Sequence, residues 1–97
     1  MKIRQIPHYT KPDESIIIID EAETDSFLSD LEADLIADFN ATKTQEIVGF
    51  DQIYIDLQIE GSIVTLAYDS MAGLSLECTD KILREKIITY LKNLLHI

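Results

Sequence analysis

The chain has 97 residues, 46% of them apolar and 27% charged, and its 18 acidic and 8 basic residues give a formal net charge of −10. This composition fits one globular domain and excludes collagen-like, coiled-coil and fully disordered classes. The acidic balance also argues against nucleic acid or an anionic membrane as direct ligand, because phosphate recognition needs clustered positive charge.

Residues 1–14 read as an extended arm restricted by Pro7 and Pro12, with Ile3, Ile6 and Tyr9 available to dock on the body. Residues 15–97 read as a single α+β domain. It opens with a strand over 15–20, where Ile16 to Ile19 leave no polar face, so the strand is expected inside its sheet and buried on both sides.

Residues 24–40 read as a helix whose apolar stripe is Leu28, Leu31, Leu35 and Phe39, with Thr24, Asp25 or Ser26 as its N-cap. Asp30, Asp34 and Asp38 recur at i, i+4 and i+8 and form one acidic row, with Glu23 nearby. Like charges at this spacing repel by a few tenths of a kcal/mol per pair, a strain that a cationic partner relieves. Glu32 falls at the edge of the apolar stripe beside Ile36, with its stem packed and its head in water. Asp38, near the helix end, opposes the helix dipole. Residues 41–51 read as a connection, with a short strand near Glu46 to Val48.

A hairpin follows. Ile53, Ile55, Leu57 and Ile59 alternate with Tyr54, Asp56, Gln58 and Glu60, and Gly61-Ser62 supplies a two-residue turn. That turn pairs Ile59 with Val64, Leu57 with Leu66 and Ile55 with Tyr68. A further strand points Leu74, Leu76 and Cys78 inward and Ser75 and Glu77 outward. Thr79 or Asp80 then caps a final helix with a stripe of Leu83, Ile87, Tyr90, Leu91 and Leu94. The expected order is β-α-β-β-β-α: an antiparallel meander with both helices packed on one face. The opposite face is then an open polar surface carrying Tyr54, Asp56, Asp69 and Glu77.

No residue set makes a self-sufficient catalytic centre. His8, His96 and Cys78 are scattered, so no zinc cluster forms, and no calcium loop or phosphate cradle is present. Neither a metal nor another cofactor is expected, and the chain does not read as an enzyme. The lone cysteine allows no internal disulfide and fits a reducing compartment. The N-terminal residues lack the apolar stretch of a secretory signal, so the expected location is the cytoplasm. The acids are unevenly placed: ten lie between Asp13 and Asp38 with no basic residue among them.

The segments Ile53-Tyr54-Ile55-Asp56-Leu57, Glu60-Gly61, Val64-Thr65-Leu66-Ala67-Tyr68-Asp69 and Gly73-Leu74-Ser75-Leu76 are similar to parts of small bacterial immunity proteins of contact-dependent growth inhibition systems. The resemblance is confined to these strands and turns. It implies a cytoplasmic protein that binds one toxin domain, often a basic nuclease, and blocks it without reacting. The candidate contacts are then Asp30, Glu32, Asp34 and Asp38 on the helix, or Tyr54, Asp56, Asp69 and Glu77 on the sheet. The alternative is a non-catalytic adaptor or regulatory subunit, homodimeric through the apolar flank of Ile88 and Leu95. A monomer is expected over a homodimer.

Overall fold

The computed structural model of the chain describes residues 2–8, 10–11, 14–20, 25–69 and 73–94. Its elements are β1 (Lys2–Pro7), β2 (Ser15–Asp20), α1 (Asp25–Phe39), β3 (Thr42–Val48), β4 (Gln52–Ile59), β5 (Ser62–Asp69), β6 (Gly73–Cys78) and α2 (Lys81–Leu94). The strands form one antiparallel sheet in the order β1-β2-β6-β5-β4-β3. The α+β class and the two-helix arrangement are as expected.

Two strands exceed the expectation. The N-terminal arm forms β1, an edge strand paired with β2 from Lys2↔Asp20 to Pro7↔Ser15. Its Ile3 packs against the core; Tyr9 lies outside the described residues. The short strand expected near Glu46 is instead the seven-residue β3, paired with β4 along its length and interrupted by a bulge at Thr44. Neither strand shows clean apolar alternation, because both are edges and much of each faces water.

The hairpin register differs from the expected one. The turn is Glu60-Gly61, with φ of 51° and 83°, and Ile59 pairs with Ser62. Positive φ at both central positions is what a type I′ turn requires, and its twist matches that of the strands. Moving the turn by one residue slides the pairing by two. Leu57 therefore faces Val64, Ile55 faces Leu66 and Ile53 faces Tyr68, and every side chain keeps its predicted face. The register also sets Thr65 opposite Asp56, where the threonine hydroxyl donates to the carboxylate at 2.7 Å.

Alternation along β4, β5 and β6 buries Ile55, Leu57, Ile59, Val64, Leu66, Leu74, Leu76 and Cys78. From β2, Ile17 and Ile19 join them. Leu28, Leu31 and Leu35 of α1 and Leu83, Ile87, Ile88 and Leu91 of α2 close the layer from above. Burying side chains of this kind contributes about 1.5–3 kcal/mol each. β2 is internal, as expected, but not fully buried: Ile18 is half-exposed on the far face.

The helix ends obey local chemistry. Asn40 at φ 53° takes the left-handed position that stops α1. The Thr24 cap lies outside the described residues. Asp80 caps α2, accepting the Leu83 amide at 3.0 Å, and that bond holds its carboxyl below the usual carboxylate range. The apolar flank expected to support a dimer is not an open surface at Ile88, which is buried in the core; Leu95 lies outside the described residues.

Candidate partner-binding surface

α1 lies over β5 and α2 over β6, on the same side of the sheet. Strand pairing then fixes what the other side presents. One row across the strands reads Gln45, Asp56, Thr65, Glu77, Ile16 and Ile6. The next reads Ile47, Tyr54, Ala67, Ser75, Ile18 and Arg4, and beyond it Gln52 pairs with Asp69. No described helix covers these rows.

The sheet-face candidates Tyr54, Asp56, Asp69 and Glu77 are thus brought onto one surface. The outward positions of β4, β5 and β6 carry no lysine or arginine. Tyr54 is exposed, and its hydroxyl donates to Gln52 Oε1 at 3.0 Å. Gln52 Nε2 in turn donates to Asp69 Oδ2 at 2.9 Å. This chain holds the tyrosine ring along β4 while its face stays open. Thr65 orients Asp56 in the same way. Polar side chains fixed before a partner arrives lose less entropy on binding.

Glu77 has a second role. Its carboxylate meets His8 Nε2, while His8 Nδ1 accepts the backbone amides of Thr10 at 3.2 Å and Lys11 at 3.3 Å. An acceptor at Nδ1 places the proton on Nε2, which donates to Glu77. Glu77 therefore ties the β1–β2 connection to the rim of this face. At its β1 border the face meets Arg4, which is held by Asp20 through bonds of 2.7 and 3.0 Å.

The helix candidates are arranged differently. Asp30 is exposed, Asp34 half-buried and Asp38 exposed. Asp38 accepts the Tyr90 hydroxyl at 2.5 Å, and Tyr90 packs edge-on against Phe39 with centroids 5.1 Å apart. Burial and this carboxylate drive the Tyr90 phenol far above its ordinary pKa. The donor from α2 compensates a carboxylate placed against the α1 dipole. Glu32 does not end in water: it pairs with Lys43 of β3 at 2.9 Å, and its side chain is only 15% exposed. Two of the four helix acids are thus engaged within the fold. Glu23 lies outside the described residues.

Sequence reasoning did not place Gln52, Ile47 or Ile63 on this surface. Ile47 and Ile63 are about half-exposed; Ile47, paired with Tyr54, widens the apolar part of the face beside it, whereas Ile63 lies apart, beyond the Asp56–Thr65 row. Ile47 is not legible as part of this face because β3, an exposed edge with a bulge at Thr44, carries no regular alternation. Cys78 is buried, its thiol pKa pushed up by burial, and its sulfur donates to the Asp80 carbonyl at 3.5 Å. It behaves as a packing residue. Among the described residues no group of three His, Cys, Asp or Glu is placed to hold a metal ion, and no helix is long and apolar enough to cross a membrane. Comparison with protein-family models, curated proteins and solved structures found no match to this chain.

Proposed function

We propose that this chain is a non-catalytic binding protein of the immunity type, acting in the cytoplasm, which docks a cationic protein on the open face of its sheet and blocks it. The partner is a toxin domain with a basic, nuclease-like surface. The observation that carries the reading is the uncovered face of β4–β6, with Tyr54 held between Asp56 and Asp69 and no lysine or arginine at any outward position. Acidic side chains around an exposed aromatic form a surface that an arginine- or lysine-rich partner complements.

Charge and shape divide the work. A net charge of −10 steers a cationic partner and raises its association rate, an effect that salt weakens. Tyr54 and Ile47, paired neighbours on this face, supply the desolvated contact that slows dissociation. A bound inhibitor of this charge excludes a polyanionic substrate by bulk and by repulsion. The sheet face is favoured over the α1 row because Glu32 and Asp38 already serve Lys43 and Tyr90.

The test is co-expression of the tagged chain with the protein encoded by the adjoining gene, followed by association kinetics at two salt concentrations. A complex is expected whose on-rate falls severalfold at high salt and which is lost in Asp56→Lys/Asp69→Lys but kept in Asp30→Lys. No complex, or one indifferent to the sheet-face reversal, refutes the reading.

A further inference from the structure

The β3 edge differs from every other surface of the molecule. All seven of its residues are exposed, including Lys43, Glu46 and Val48, which point to the helix side. The reason is positional: the helices lie over β5 and β6, and β3, at the sheet margin, is reached from α1 by the Glu32–Lys43 ion pair at 2.9 Å rather than covered by a helix. Ile47 and Val48 are 50% and 67% exposed, and Phe50 in the turn that follows is fully exposed. One side of the strand thus has backbone groups with no neighbour in the sheet, next to three apolar side chains. The opposite edge, β1, is blunted by Pro7, which has no amide to donate.

On a chain of net charge −10, β3 is electrically neutral, with one lysine and one glutamate. A cationic partner gains little there, and a second copy of the chain meets less repulsion at this edge than at the acidic faces. The strand is also self-complementary. Lys43 meets Glu46 of its own strand at 3.0 Å and Glu32 at 2.9 Å; an antiparallel pairing that sets it opposite the copy's Glu46 extends this cluster across a two-fold axis and sets Thr42 opposite the copy's Ile47. The bulge at Thr44 puts Lys43 and Glu46 on one face, and Thr42 and Ile47 on the other.

We propose that β3 is a self-association edge, through which two copies join their sheets about a two-fold axis. This goes beyond the partner-binding reading and does not rest on it, since the outward face of β4–β6 stays open in the pair; it departs from the expectation of a monomer. Two edge strands and their flanking side chains cover less than the roughly 800 Å² per partner of a standard stable interface, so the association is weak and concentration-dependent.

Sedimentation equilibrium of the full chain from ~5 µM to ~500 µM tests it by mass action. The expected average mass rises from 11.0 kDa toward twice that value. Glu46→Lys sets lysine against lysine across the axis and is expected to weaken association at least ~10-fold, whereas Glu85→Lys, the same charge change at an exposed position of α2, leaves it unchanged. Far-ultraviolet circular dichroism checks that both variants stay folded. A single 11.0 kDa species at every concentration overturns the proposal. So does a dimer unchanged by Glu46→Lys, or one weakened as much by Glu85→Lys.

Discussion

If Asp56 and Asp69 face a partner rather than hold the fold, removing their charges leaves stability nearly unchanged. The perturbation is Asp56→Asn/Asp69→Asn, which keeps both side-chain shapes and leaves an oxygen to accept from Thr65 and from Gln52. Asp56 and Glu77 flank Thr65 in one row, two strand spacings apart, or ~9.6 Å. Their repulsion in water is about 0.4 kcal/mol at low salt, and screening at physiological ionic strength reduces it further. Exchanging a charged for a neutral acceptor costs roughly 0.5 kcal/mol per bond, opposed by the relieved repulsion. The net change is under ~1 kcal/mol, which for a domain of this size moves Tm by no more than ~4–8 °C. Leu66→Ala gives the scale of a structural loss: that residue is fully buried, and its truncation costs about 3 kcal/mol, or ~12–24 °C. Thermal unfolding by circular dichroism at low and physiological salt compares the two variants. A Tm loss in the double asparagine variant as large as that of Leu66→Ala refutes the reasoning, because the acids would then be part of the framework.

Gly61→Ala places a side chain at φ 83°, where no atom lies within 4 Å; the cost is backbone strain of about 1 kcal/mol and a Tm lower by ~4–8 °C, read by the same melt. Tyr90 is expected to ionise only well above the ordinary tyrosine value in an absorbance titration, because burial and Asp38 favour the neutral phenol. Its raised folded pKa stabilises the fold fully below the ordinary tyrosine value of about 10, and that stabilisation is lost as pH rises through the folded pKa. Tyr90→Phe removes this late step. The Cys78 thiol, buried and with its pKa raised, is expected to resist a thiol reagent in native buffer and to react stoichiometrically in denaturant; fast native labelling contradicts its burial.

Much of the architecture was legible because two periodicities dominate the chain. Alternation over Ile53–Ile59 and Leu74–Cys78, and the three-four spacing of Leu28, Leu31 and Leu35, define which faces meet. The edges were not legible. β1 and β3 owe their structure to pairing with a neighbour: β3 is exposed on both sides and β1 only partly buries Ile3 and Ile6, so neither leaves a clean apolar signature. The turn was misplaced by one residue because glycine suits the first position of one hairpin turn and the second of another. Within the candidate surface, Tyr54, Asp56, Asp69 and Glu77 could be assigned to one face from alternation alone. The bonds from Gln52, Thr65 and His8 depend on register and on a loop crossing, which alternation does not encode. Glu32 and Asp38 were read as open acids because Lys43 and Tyr90 are distant from them in sequence.

The most direct test of the central claim is amide chemical-shift mapping of the isotopically labelled chain as the adjoining gene's protein domain is added. The account predicts shifts concentrated at Tyr54, Asp56, Thr65, Ala67 and Asp69, with α2 unchanged. Shifts confined to α1 and α2, with β4–β6 unperturbed, contradict it.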